Sequence, residues 1–186
     1  MKAIASSLFL LMALTLLLAP SVRAQVGPGA GSFSFTVNGL TVQGQLSNVI
    51  LYADNSVTMT MSVDEDLLQT PIGPLPLRGS GQWYGAVASG GTLWGTIENI
   101  KGTAEICAVL SFPILSCAYA EFIGNGVWVG TLSGSQGTGT LQGVITFTSF
   151  PYPQSYRLYD SSNAPIIVGQ PIPMTGTWNS TFQPSS

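Results

Sequence analysis

Gly81-Gln82-Trp83-Tyr84-Gly85-Ala86-Val87, a loop, and Leu93-Trp94-Gly95-Thr96-Ile97 are restated further along as Gly126-Val127-Trp128-Val129-Gly130-Thr131-Leu132 and Leu141-Gln142-Gly143-Val144-Ile145. Trp83 aligns with Trp128, Gly85 with Gly130, Gly95 with Gly143 and Ile97 with Ile145. Only the connecting segment differs, being a longer Ser/Gly/Thr loop in the second copy. Trp, glycine and aliphatic residues alternate with a period of two, the spacing of a strand. Each copy is therefore expected to be a β-hairpin, and the chain to carry an internal hairpin repeat. A strand glycine leaves room for a large cross-strand neighbour, which would set Trp83 over Gly95 and Trp128 over Gly143.

The alternation continues toward the N-terminus. Phe33, Phe35 and Val37 alternate with Ser34, Thr36 and Asn38, and Asn38-Gly39 is a strong type I′ hairpin signal. Leu40 to Leu46 returns, continuing through Val49, Ile50 and Leu51, and Asp54-Asn55 turns again. Val57, Met59, Met61 and Val63 then alternate with Thr58, Thr60 and Ser62. Leu67 to Arg78 holds Pro71, Pro74 and Pro76, which exclude it from a central strand and suggest a long surface connection. Lys101-Gly102 marks a turn before a hairpin from Thr103 to Ile123. Beyond Pro151 and Pro153, short strands are expected at Arg157 to Tyr159 and Ile166 to Val168, and a last one at Thr175 to Phe182. No mature stretch has the apolar spacing of a substantial helix. The expected fold is all-β, an antiparallel β-sandwich or closed β-barrel of about ten to twelve short strands.

The first 24 residues have the order of an export signal: Lys2, an apolar run from Leu8 to Leu18, then Ser21-Val22-Arg23-Ala24. That run is short for a membrane span, so cleavage after Ala24 is expected ahead of a retained anchor. No other segment is apolar enough to span a bilayer. Residues 25–32 then form a flexible Gly/Pro linker, 33–182 a single domain and 183–186 a tail. The expected location is secreted or at the cell surface.

Loss of Lys2 and Arg23 leaves Arg78, Lys101 and Arg157 against eight acids, a formal charge of −5 by subtraction. No basic stripe offers a nucleic-acid footprint. Charged residues make up 7% of the chain, well below the roughly 25% usual for soluble domains. Solubility then rests on uncharged polar groups, and few like charges hold copies apart. Cys107 and Cys117 reflect through Phe112, next to Pro113, so a tight turn there sets them opposite one another. An exported chain favours a disulfide between them over two free thiols. Two cysteines without histidine do not complete a tetrahedral metal shell.

The chain has no histidine, which removes the usual base of Ser-His and Cys-His catalysis. The glycine-rich Gly134-Ser135-Gln136-Gly137-Thr138-Gly139 stretch lies between strands, with no following helix or lysine to hold a phosphate. Carboxylates remain, and Glu98, Glu105 and Glu121 fall in strands of the repeated region. Reflection through Phe112 sets Glu105 against Tyr119 and Glu121 against Thr103, both acids sharing one face. Acids on a sheet face are more often solvated than catalytic, so a hydrolase built on them is the lesser expectation. Asp64-Glu65-Asp66 lacks the spacing of a dedicated calcium loop, and a solvated turn outweighs a metal site. Asn179-Ser180-Thr181 matches the N-glycosylation sequon.

In composition, signal and size the chain is similar to exported β-sandwich subunits of microbial surface assemblies, a resemblance that implies a structural role without a diagnostic motif. The leading expectation is a non-enzymatic structural or cell-surface protein without a cofactor, self-associating through strand or sheet-face contacts. Residues 25–38 are then a separable arm that adds a strand to a neighbour's sheet edge. The alternative is a secreted binding module, with Tyr84 and Trp94 on an outward face or barrel mouth for a glycan or small apolar ligand.

Overall fold

The computed structural model describes residues 29–37, 39–70, 73–111, 114–149 and 167–185, with side chains described except at 40, 65–75 and 106–118. The expected signal segment, the turn at Phe112-Pro113 and the strand at Arg157 to Tyr159 lie outside the described residues. There are nine described strands: β1 (Gly29–Val37), β2 (Leu40–Leu51), β3 (Ser56–Thr70), β4 (Gly73–Val87), β5 (Thr92–Ser111), β6 (Ile114–Ser133), β7 (Gln136–Ser149), β8 (Pro171–Thr181) and β9 (Gln183–Pro184). Each of β1 to β7 pairs antiparallel with the next, and β8 returns to pair with β1. Eight strands thus close into an up-and-down barrel, and β9 adds two residues parallel to the end of β2. The sandwich alternative falls.

The count is below the expected ten to twelve because strands read as separate are continuous. β5 and β6 each run for 20 residues. No turn forms at Lys101-Gly102, which pair with Ile123 and Phe122 inside the β5–β6 ladder. The period-two alternation slips there because Asn99, at φ 54°, forms a bulge between Ile97 and Ile100. Asn48, at φ 50°, does the same between Ser47 and Ile50. Asparagine tolerates this left-handed backbone, and a bulge keeps the apolar face inward while bending the strand. The expected connection from Leu67 to Arg78 is strand at 67–70 and 73–78, residues 71–72 lying outside the described ones. Of its three prolines, Pro71 lies outside the described residues, Pro76 falls at the register shift between Glu65 and Leu68, and Pro74 pairs with Gln69 of β3, whereas the described β4–β5 ladder begins at Leu77. Pro74 thus sits in an edge segment, with no second described ladder to break.

β1 starts at Gly29, inside the stretch expected as linker, and β9 lies in the stretch expected as tail. Phe33 and Phe35 are buried, and β1 has β2 on one side and β8 on the other. It is a wall strand, not the separable arm expected from its sequence.

The two similar stretches fall in the β4–β5 and β6–β7 hairpins, whose registers differ, so the structure does not bear out the expected hairpin repeat. Trp83 pairs with Ile97, whereas Trp128 pairs with Leu141, the counterpart of Leu93. The Ser/Gly/Thr stretch explains the slip. Only Gly134-Ser135 turns, with Gly134 at φ 62°, and Ser133 pairs with Gln136, so the rest of the expected loop is β7 strand.

Indole packing also differs from expectation. Trp128 lies over Gly95 and Gly85, a cross-strand pair in the preceding hairpin, where a Cβ on Gly85 would stand 2.5 Å from the indole. Trp178 covers the Gly130 and Gly139 pair in the same way. Each ring thus rests on a glycine pair from the two strands before its own, which a closed wall permits. The Trp128 N–H donates to the Tyr84 and Thr96 carbonyls at 3.3 and 3.2 Å, and the Trp178 N–H to the Val129 carbonyl at 3.2 Å. Trp83 completes the trio on the axis, its ring 5.7 Å from Trp128, which meets Trp178 edge-on at 5.3 Å. With Phe33, Met59, Leu46 and Ile97 these rings fill the barrel interior.

The β2–β3 turn is held by Asp54. Its carboxylate accepts from the Ser56 hydroxyl at 2.6 Å and the Ser56 N–H at 2.9 Å, and these bonds, the hydroxyl's first, hold its pKa below the ordinary carboxylate value. A depressed folded pKa contributes stability above the unfolded value and loses it as pH falls through the folded one. The melting temperature of Asp54→Ala should therefore lie slightly below wild type at neutral pH, and the gap should close in acid. A gap that persists in acid would assign the effect to something other than the carboxylate.

Candidate functional site

With the axis filled, the chemistry available to partners lies on the outer wall. Residues between the inward ones face out, so Tyr84 and Trp94 project outward, 43% and 56% exposed. Ala86 pairs with Trp94 and Tyr84 with Thr96, which makes the two rings diagonal neighbours on β4 and β5. On the other side Trp94 pairs with Val129 and Thr96 with Val127, and both valines are exposed. The four side chains form one apolar patch. Tyr52 extends it toward β2, its hydroxyl accepting from Thr58, which pairs with Tyr84.

Beside the patch is a depression of about 270 Å³ whose lining includes Val127, Val129, Thr140, Gln142 and Thr175. Isoleucine or leucine at these last three places would make a simple hydrophobic face. Hydroxyl and amide groups instead give donors and acceptors beside an aromatic and aliphatic floor. Val127, Val129 and Tyr52 were missed as site residues from sequence. The signal for the valines was available in Gly126-Val127-Trp128-Val129-Gly130: once Trp128 faces in with its flanking glycines, both valines face out.

A second depression, about 610 Å³, lies further along the strands, and its lining includes Ser80, Lys101, Thr103, Glu121, Ile123 and Thr148. Asp64 pairs there with Arg78, but both side chains are well exposed, so the pair adds little stability. Glu65 and Asp66 side chains lie outside the described residues. No cluster of three metal-ligating side chains occurs among those described.

Glu105 pairs with Tyr119 and Glu121 with Thr103. The two acids are diagonal neighbours on the outward face of β5 and β6, Glu121 being exposed and Glu105 half-buried. Glu98 is exposed on the same wall and accepts from the Thr96 hydroxyl at 3.0 Å. Cys107 and Cys117 are register partners, and their side chains lie outside the described residues. Asn179 is exposed on β8, its amide donating to the Ser32 hydroxyl at 3.1 Å. Ser180 points inward, 2% exposed, and its hydroxyl has no hydrogen-bond partner.

No helix among the described residues is long and apolar enough to cross a membrane. No protein-family model matches the chain, and neither a curated protein nor a solved structure matches it significantly.

Proposed function

We propose that this is an exported, non-catalytic binding protein whose outer wall at Tyr84, Trp94, Val127 and Val129 takes a carbohydrate. The observation that carries the proposal is the diagonal Tyr84–Trp94 pair beside a depression walled by Thr140, Gln142 and Thr175. Aromatic rings offer flat apolar area with little conformational freedom to lose, and flanking hydroxyls and amides match the polar rim of a sugar. A ligand inside the barrel finds the axis occupied by Trp83, Trp128 and Trp178. In this proposal the signal segment is cleaved, Cys107 and Cys117 form a disulfide, and Asn179 is open to glycosylation.

Self-association, the leading expectation from composition, is the competing use of the same face. Strand addition lacks a free strand in β1, which is paired on both sides. Sheet-face contact remains. The patch exposes apolar area on the order of a few hundred Å², comparable with the apolar share of the roughly 800 Å² each partner buries in a stable complex, so oligomeric state is measured alongside ligand binding.

Trp94 reports directly on the face, because the other three tryptophans are no more than 2% exposed. A neutral oligosaccharide that binds should shift the emission to the blue, and Trp94→Phe should remove the shift without changing the melting temperature by more than a degree or two. Sizing at high concentration accompanies it. A dimer dissociated by Trp94→Glu, with no emission response to any sugar, would make the face a protein interface and dispose of the carbohydrate assignment.

A further inference from the structure

Two depressions lie on one wall and share a strand. Val127 of β6 lines the smaller and Ile123 of β6 the larger, with the exposed Asn125 between them. The outward stripe continues past Glu121 to Tyr119, which is 59% exposed. On the neighbouring strand, Trp94 pairs with Val129, Lys101 with Ile123, Thr103 with Glu121 and Glu105 with Tyr119. The wall therefore has an aromatic at each end, Trp94 and Tyr119, with polar groups between. From Val129 to Tyr119 it runs for roughly 30 Å at about 3.3 Å per residue.

We infer that the ligand is an extended, uncharged oligosaccharide of more than two sugar units, lying along β6 with its ends over Trp94 and Tyr119. This rests on the carbohydrate assignment above and specifies it. Length follows from the distance between the rings, which a disaccharide does not bridge. Extension follows from the stripe running along one strand. Neutrality follows from the charges on the wall. Glu98, Glu105 and Glu121 outnumber Lys101 there, because Arg78 is already paired with Asp64. A polyanion meets net repulsion on this wall, while sugar hydroxyls, which both donate and accept, suit a mixed row of lysine, amide and carboxylates.

The test is calorimetric titration of the mature protein with di- and hexasaccharides of β-1,4-linked glucose, xylose, mannose and N-acetylglucosamine, with hexagalacturonate as the charged counterpart. At least one neutral hexamer should bind about tenfold more tightly than its own dimer, the gain expected from one added aromatic contact. Tyr119→Ala should remove that gain and leave the dimer's affinity unchanged. Hexagalacturonate should not bind. Equal affinity for dimer and hexamer, an unaltered hexamer affinity in Tyr119→Ala, or tight binding of the charged hexamer would each overturn the inference while leaving a carbohydrate site at Trp94. If no sugar binds and the Trp94 emission never moves, the carbohydrate assignment itself fails.

Discussion

Trp128→Ala is expected to cost about 4 kcal/mol of unfolding free energy, while Trp94→Ala, equally large in residue volume removed, costs less than about 0.5 kcal/mol. The two residues lie on the adjacent strands β5 and β6 and differ in which side of the wall they face. Trp128 is fully buried and touches both neighbours of the axial trio. Its removal bares the glycine pair Gly85 and Gly95, which has no side chains to collapse into the void. Cavity cost depends on how well a site can close, and a floor of two glycines in a paired ladder closes poorly. The deleted N–H also served the Tyr84 and Thr96 carbonyls. Trp128→Phe keeps a six-membered ring and loses the donor with the rest of the indole, and should fall about 1–3 kcal/mol below wild type, between wild type and Trp128→Ala. The measurement is the midpoint of urea denaturation with the slope unchanged. A small loss in Trp128→Ala would mean that the ring does not rest on that glycine pair.

The all-β class was legible because its signal is local. Phe33-Ser34-Phe35-Thr36-Val37 and Val57-Thr58-Met59-Thr60-Met61 alternate in the sequence and alternate in burial. The register around Cys107 and Cys117 was legible too, since reflection through Phe112 gives the pairs from Ile100 with Gly124 to Val109 with Leu115. Closure was not, because the pairing of β1 with β8 joins residues from opposite ends of the domain, and nothing in Phe33 or Trp178 names the other. Strand number failed for a related reason. Asn99 interrupts the period of two just before Lys101-Gly102 without ending a strand, so a bulge resembles a turn in the text, whereas the strand through Asn48 was read as continuous. Pro74 misled in the opposite direction, since proline forbids a central strand only where a second ladder exists.

The outward side of the site was half legible. The opposite parity of Trp83 and Tyr84 placed Tyr84 and Trp94 outside as soon as one face was taken as core. Which residues join them depends on lateral register between β5 and β6, and the bulge at Asn99 shifts that register by one residue from the reflection that holds around Cys107. Val127 and Val129 are aliphatic and flank a tryptophan, a composition usual in a core. They are outside because the wall is one sheet thick, so alternate residues face either the filled axis or the exterior. Glycine dominates the inward positions between the rings, which leaves some of the largest apolar side chains on the outside. That inversion is the physical reason the exterior, not the barrel mouth, carries the binding proposal.

Removing β1 is the harshest test of closure. Deleting residues 29–37 should abolish the folded monomer and give aggregated or unfolded chain, in contrast to the folded product expected if this segment were a separable arm. Phe33 and Phe35 pack on the axis, and truncation of each such ring costs about 3–5 kcal/mol. Together these losses rival the 5–15 kcal/mol that holds a typical domain. The deletion also frees the edges of β2 and β8, both rows of unpaired N–H and C=O groups able to capture other chains. A synthetic peptide of residues 29–37 added during refolding should restore monomer, because it presents the same Phe33 and Phe35 to the same gap. Circular dichroism and sizing with and without peptide decide the outcome. If the deleted chain stays a folded monomer on its own, β1 is dispensable to the wall. The strand would then be free to enter a neighbour's sheet, and assembly by strand exchange would return as the function to test first.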